Sequence, residues 1–378
     1  MSLNVTVMNI SDIVTPALIL DHGKVVKNTQ AMTTRLADLS VKMRPHLKTA
    51  KSIDVARLAL VGNFGGVTVS TLKEAAYFFD NGIDDITYGV CIAPSKLDHA
   101  AALTGRGADL KIIIDNVVAA RAIVDHGGQF KVLIEIDCGE HRSGIVPNHP
   151  AILEIAETLA QGDNATLAGV LTHAGHSYLC RNQDEIRQVA RDERQAVVLA
   201  ATRLRQAGYA CDIVSVGSTP TATFGESFEG VTEARPGVYM FHDLFQAGLG
   251  VCSTQDIAVS VLATVISQNS DHNRILIDAG GLALSKDRST AALEQDLGYG
   301  LVCDAASGQP IDGLIVNGVH QEHGQVTLPD ASSLDRFPVG TRVRILPNHV
   351  CMSAAAHEAY NVIDGDQVIA QWTRCNGW

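Results

Sequence analysis

The sequence predicts a (β/α)8 barrel followed by a β-rich second domain. Three observations lead there. Between residues 22 and 245, short apolar runs alternate with helical patterns, and eight of the runs read as strands. The runs are continuous rather than alternating, as in parallel strands covered on both faces. Polar motifs follow several of these strands, on the face where barrels carry chemistry. After residue 245 the texture changes to β-branched runs separated by turn residues. A doubly wound sheet is the structural alternative, and the count of eight favours the barrel.

In order, residues 15–21 read as a strand and 25–39 as a helix. The barrel strands are expected at 41–44, 66–70, 85–89, 110–115, 130–137, 167–173, 213–217 and 230–234. Helical patterns lie between most of them, including 52–60, 72–79 and the long 183–206. The later β runs are 258–267, 274–278, 313–316, 342–346 and 366–372. We therefore expect a barrel over 22–245 and a β-rich domain over 246–378, with residues 1–21 packing on the latter.

Composition narrows the partners. The 378 residues are 46% apolar, enough for a sizeable core, and carry a net charge of −12. That charge argues against nucleic acid or an anionic membrane as the main partner. It leaves an anionic small molecule open, since a local basic pocket can exist on an acidic protein. The first 20 residues lack a basic segment and contain Asp12, unlike a signal peptide. No apolar run is long enough to span a bilayer. Eight single cysteines without a C-x-x-C pair point to free thiols in a reducing cytoplasm.

The chemistry gathers at expected strand ends. Lys48 closes Arg44-Pro45-His46-Leu47-Lys48 between a strand and a helix. A lysine there can be partly desolvated and form a Schiff base with a carbonyl cofactor, and taken alone the stretch fits a solvated lysine in a strand–helix turn better. Arg142 follows the fifth strand and suits an anionic oxygen, though a surface role fits as well. His173 ends the sixth strand, pointing to the barrel mouth, and Tyr178 follows it. Gly217-Ser218-Thr219 offers backbone N–H groups and hydroxyls to a phosphate, and Gly237 allows close backbone approach. Ordinary turn chemistry explains either loop equally well. In the second domain His349-Val350-Cys351, on an extended segment, would present both side chains on one face. Imidazole and thiolate together suit Zn2+ in an open site. A core cysteine beside a polar histidine is the alternative.

Together these motifs resemble the D-threonine aldolase/D-serine dehydratase family of alanine-racemase-like, fold-type III enzymes. The resemblance runs from Thr15-Pro16-Ala17 to the C-terminal region. Arg44-Pro45-His46-x-Lys48 matches the lysine motif that binds pyridoxal phosphate. Gly217-Ser218-Thr219 and Gly237-Val238-Tyr239 match the phosphate loops, and Arg142 an arginine near the cofactor's phenolic oxygen. His173 would pack by the cofactor ring. Glu322-His323-Gly324 matches a C-terminal motif, and His349-x-Cys351 the metal pair. Aldolase members resemble His-x-Asp there, and the dehydratases His-x-Cys. The resemblance thus implies a barrel of the alanine racemase N-terminal type. It implies a dehydratase dependent on pyridoxal phosphate and a divalent metal, Zn2+ first, with Mn2+, Co2+ or Ni2+ as alternatives. The substrate would be D-threo-3-hydroxyaspartate or D-serine, giving a 2-oxo acid and ammonia. Lys48, His349 and Cys351 would be catalytic; Tyr178, Gln321 and His323 are weaker pocket candidates. A homodimer is also implied. The rivals are a D-threonine aldolase and a non-catalytic pyridoxal-phosphate-binding protein. The second domain and the H-x-C pair argue against the latter.

Overall fold

The computed structural model describes residues 8–378. Residues 1–7 of the segment expected to pack on the β-rich domain lie outside the described residues. The chain forms two compact units. One comprises residues 30–237 with Gly377–Trp378; the other comprises the chain up to Thr29 and Val238–Asn376.

In chain order the first elements are β1 (Ala17–Asp21), α1 (His22–Asp38), β2 (Lys42–Met43), α2 (Ile53–Ala59), β3 (Val67–Val69), α3 (Leu72–Asp80) and β4 (Asp85–Cys91). Then come α4 (Leu97–Gly105), β5 (Asp109–Ile114), α5 (Val117–Val124), β6 (Phe130–Ile136), α6 (Ala151–Leu159), β7 (Ala165–Thr172) and α7 (Gln183–Gln206). The first unit ends with β8 (Ile213–Val216), α8 (Thr219–Phe224) and β9 (Glu233–Ala234).

Strands β2 to β9 form an eight-stranded parallel sheet in the order β2-β9-β8-β7-β6-β5-β4-β3. The chain beyond β2 closes it. Thr68 N–H donates to the Pro45 carbonyl at 2.9 Å, and Leu47 N–H to the Thr68 carbonyl at 2.8 Å. Closure rules out the doubly wound alternative, which keeps two open edges.

Period-two alternation sorts the strands into two faces. The outward residues of β4 to β7 are apolar: Ile86, Tyr88, Leu110, Ile112, Val132, Ile134 and Val170 are buried. Each such burial contributes roughly 1.5–3 kcal/mol. The inward set is mixed: Ile113, Leu133 and Leu171 form a buried apolar cluster, and an ionic layer accompanies it. Arg44 Nε lies 2.8 Å from Glu233 and its Nη1 2.5 Å from Asp85, while Lys111 Nζ lies 2.7 Å from Asp85. Four of the helices, α3, α5, α7 and α8, begin on side-chain caps. Thr71, Asn116, Asn182 and Ser218 accept from the backbone N–H three residues on.

The second unit contains β1 and a β-rich C-terminal portion. Its further elements are α9 (Leu244–Gly248), β10 (Val259–Asn269), β11 (Arg274–Ile277), α10 (Gly281–Leu284), β12 (Leu301–Asp304) and β13 (Pro310–Val319). They continue with β14 (Gly324–Thr327), β15 (Arg342–Leu346), α11 (Val350–Ala355), β16 (Ala359–Asp364) and β17 (Gln367–Thr373). Nine strands pair in the order β11-β14-β13-β12-β15-β10-β1-β16-β17. β1 runs antiparallel to β10 and parallel to β16. Ile10, Ile13, Ala17, Ile19, Leu262 and Ile363 form one apolar cluster of this unit. Leu244, Ile257, Leu301, Cys303 and Leu346 form another.

Candidate active site

The mouth of the barrel is built from inward residues at strand ends. A cavity of about 190 Å3 is lined by His46, Lys48, Thr68, Ser70, Gly89, Val90, Glu135, Arg142, Ser143, Leu171, His173 and Arg235. Arg44, His46 and Lys48 recur every second residue on the chain leaving β2. Arg44 therefore drops into the ionic layer, and the other two reach the cavity. Lys48 is exposed at this mouth. It lies in the turn 47–50, whose other residues, Leu47, Thr49 and Ala50, are buried.

The imidazoles beside it are held neutral. Desolvation comes first, and the cations Lys48, Arg142 and Arg235 add to it, so His173 falls to about 3. Burial, Lys48 and Arg235 likewise hold His46 well below the ordinary histidine value. His173 Nδ1 meets the Gly217 carbonyl. That contact requires a proton on Nδ1 and leaves Nε2 as an acceptor. Arg142 is exposed and lies 3.2 Å from Glu140. Arg235 is buried, donating to Ser215 Oγ at 2.6 Å and to the Thr172 carbonyl at 2.6 Å.

The expected phosphate loop adjoins this group. Gly217 N–H donates to Glu193 Oε1 at 3.0 Å, so that donor is committed within the protein. Ser218 Oγ accepts from Thr221 N–H at 3.2 Å and pairs with Ser177 Oγ at 3.0 Å. An anion here would be met by backbone from Ser218 onward. Thr219 is buried. A Cβ on Gly237 would lie 3.0 Å from the His46 carbonyl, so this position lets the chain after β9 approach the one after β2. Tyr178 is half-buried in the turn Gly175–Leu179 and is not one of the cavity-lining residues. Val238 and Tyr239 open the second unit and are buried; burial keeps the Tyr239 phenol above its ordinary pKa.

The other candidates lie in the second unit. His349 is the extended residue that opens α11, and Cys351 is the second residue of that helix. The pair is therefore not on a strand, as expected, but at a helix start. Asp243 makes this turn: its carboxylate accepts from Val350 N–H at 3.1 Å and from Gln246 N–H at 2.9 Å. His349 Nδ1 lies 3.3 Å from Asp287 Oδ2. Burial alone would lower the imidazole pKa, but Asp287 and Cys351 outweigh it and raise it to about 11. Burial likewise opposes ionisation of Asp287, yet His349 and Ser289 bring it down to about 2. Among the described residues no cluster of three or more His, Cys, Asp or Glu suits a metal. A metal here would find two protein donors, His349 and Cys351. Gln321 and His323 sit exposed between β13 and β14. Gln321 accepts from Leu282 N–H at 3.1 Å, and Ser353 of α11 donates to the Leu284 carbonyl at 2.7 Å. The short α10 thus ties the 320–323 loop to the helix bearing Cys351.

Both groups pass a test of fit. Thr68 Oγ1 lines the barrel cavity, is buried and has no protein partner. Three cations there face one carboxylate, Glu135. That suits a polar, anionic occupant such as pyridoxal phosphate. Imidazole and thiol donors with a carboxylate behind the imidazole suit Zn2+. His46, Thr68, Ser70, Glu135 and Arg235 were not singled out in the sequence as site residues. Each lies on or just past a barrel strand and faces the cavity, and that shared inward parity is the signal that finds them.

Comparison with known proteins gives a consistent result. Residues 20–244 match the family profile described as alanine racemase, N-terminal domain, and residues 258–363 match a serine dehydratase domain. The chain is 45% identical to a D-threo-3-hydroxyaspartate dehydratase of Delftia sp. (strain HT23), over 96% of this chain and 98% of that one. It is 33% identical to a D-serine dehydratase of Dictyostelium discoideum, over 96% of both. A solved D-threo-3-hydroxyaspartate dehydratase, a cysteine-to-alanine mutant in the metal-free form, superposes with a TM-score of 0.95 and 44% identity. That match covers 98% of this chain and 100% of the other. Among the described residues, no helix is long and apolar enough to cross a membrane.

Proposed function

Because the chain belongs to the alanine-racemase-like family of D-amino-acid dehydratases, we propose that it dehydrates a D-3-hydroxy amino acid. D-threo-3-hydroxyaspartate comes first and D-serine second; the products are a 2-oxo acid and ammonia. The observation that carries this reading is Lys48 at the mouth of a cationic cavity with two neutral imidazoles. Similarity to the two dehydratases supports the reaction type.

Lys48 is the residue that would hold pyridoxal phosphate in the barrel, with Ser218, Thr219, Gly237, Val238 and Tyr239 as phosphate-loop residues. His349 and Cys351 would hold a divalent metal, Zn2+ by their chemistry. When bound, the cofactor stores the electrons of the substrate α-carbon, and the metal acts as a Lewis acid on the β-hydroxyl. Lys48 Nζ takes the α-proton. Arg142 and Arg235 set a positive field that favours a substrate with two carboxylates. His173 Nε2 is left able to accept a hydrogen bond. Asp287 orients the His349 imidazole for its ligand role. Eight free cysteines suit a reducing cytoplasm. A homodimer is the oligomeric state carried with this reading, to be checked by sedimentation.

The test is a panel of D- and L-3-hydroxy amino acids with ammonia, keto acid and aldehyde all measured. Keto acid and ammonia from the D forms alone are expected. Glycine and an aldehyde would instead mark an aldolase, and preferential turnover of L substrates would overturn the stereochemical assignment.

A further inference from the structure

We propose that Glu193, midway along α7, is a positioning residue that fixes the phosphate loop and His173 as one unit. The proposal rests on reading the barrel cavity as a pyridoxal phosphate site.

Glu193 is buried, 1% exposed. Its Oε1 accepts from Ala174 N–H at 3.1 Å and from Gly217 N–H at 3.0 Å. Ala174 follows His173, and His173 Nδ1 reaches the Gly217 carbonyl. One carboxylate oxygen thus closes a ring through the ends of β7 and β8. The ring fixes the plane of the imidazole and the start of the phosphate loop together. Ser177 and Ser218, 3.0 Å apart, brace the same two loops farther out.

A carboxylate is an expensive way to pack a helix on a sheet. The other buried α7 residues on this face are Ile186, Ala190, Val197, Ala200, Ala201 and Leu204. Burial pushes the Glu193 pKa up; the bonds from Gly217, Thr221 and Ala174 and the charge of Arg235 oppose that. An apolar side chain would leave two buried N–H groups unsatisfied, each costly. The acceptor oxygen is therefore the feature that matters. A carboxamide keeps it at the same reach, whereas aspartate keeps the charge and withdraws it by one methylene.

The experiment uses the full chain stripped of cofactor. Spectroscopic titration gives Kd for pyridoxal phosphate and for pyridoxal, which lacks the phosphate, in wild type, Glu193→Gln, Glu193→Asp and Glu193→Ala. Glu193→Asp and Glu193→Ala should bind pyridoxal phosphate about 10-fold or more weaker, with a clearly smaller loss for pyridoxal, which feels only the displaced His173; ~1.4 kcal/mol per tenfold sets the scale. Glu193→Gln should stay within about threefold for both ligands. If Glu193→Ala does not fold, the contrast between Gln and Asp decides. Equal losses for the two ligands would reduce Glu193 to general stability and overturn the proposal. So would a mild aspartate with a severe glutamine, which would make charge the determinant, or no loss in any variant. A wild type that binds neither ligand would instead sink the cofactor reading itself.

Discussion

At the scale of single residues, the roles proposed for Lys48 and Cys351 can be tested separately. Lys48→Ala should abolish the reducible cofactor linkage and turnover; borohydride reduction with peptide mapping checks it, and a label on another lysine refutes the assignment. Cys351→Ala removes a soft, charged metal donor but leaves Lys48 untouched. It should keep the cofactor absorption band and lose most dehydration, and chelation of wild type should mimic it. Full ammonia release from a demonstrably metal-free Cys351→Ala enzyme would show a packed thiol instead, with His323 the next acid to test. Asp287→Asn tests the residue behind the imidazole. Since outer partners of metal ligands typically matter by about 10–100-fold in affinity, metal titration should show a loss in that range. Lys48 and the H-x-C pair could be named as candidates from the sequence because each belongs to a local motif. Glu193 was not named. Helical spacing does place it, alone among the acids Asp184, Glu185, Asp192 and Glu193, on the buried stripe of Ile186, Ala190, Val197, Ala200 and Leu204. What the stripe does not show is that its carboxylate meets the N–H groups of Ala174 and Gly217, which only the packing of α7 on β7 and β8 decides.

At the scale of elements, the ionic layer inside the barrel follows from strand parity. Asp85, Lys111 and Glu233 are inward residues of β4, β5 and β9, and with Arg44, just past β2, they satisfy one another. Asp85→Asn would strip Arg44 and Lys111 of a shared counter-charge. Breaking a buried pair costs about 3–5 kcal/mol, and the partial exposure of Asp85 reduces this to roughly 2 kcal/mol at neutral pH, measured by urea unfolding. Burial opposes ionisation of Asp85, but Arg44 and Lys111 outweigh it and depress its pKa. A depressed carboxylate stabilises fully above its unfolded pKa of about 4 and loses that contribution as pH falls through the folded value. The stability curve of Asp85→Asn should therefore be flatter than wild type below pH ~4. The parallel strands were legible as continuous apolar runs. In the second unit β12, β14 and β16 went unread, because short antiparallel strands with turns and register shifts leave little period to detect. The H-x-C pair was read as strand because nothing local announces α11; Asp243, far away in sequence, caps it.

At the scale of the whole molecule, ligands should act as stabilisers. A cofactor or metal that binds only the folded chain, at 100 times its Kd, adds about 2.7 kcal/mol. Pyridoxal phosphate and Zn2+ should each raise the calorimetric midpoint of stripped protein, with Lys48→Ala blunting the first rise and Cys351→Ala the second. A midpoint indifferent to both would argue against resident groups. The nine-stranded sheet has one more consequence. β1 lies between β10 and β16, in register with Leu262 to Val259 on one side and Asn361 to Ile363 on the other. The whole barrel is made between β1 and its first neighbour β10, and β16 follows later still. Both edges of β1 thus stay unmatched until β10 is made, and one of them until β16. Meanwhile an apolar Ala-Leu-Ile-Leu segment has to be kept from aggregation while its slot does not yet exist.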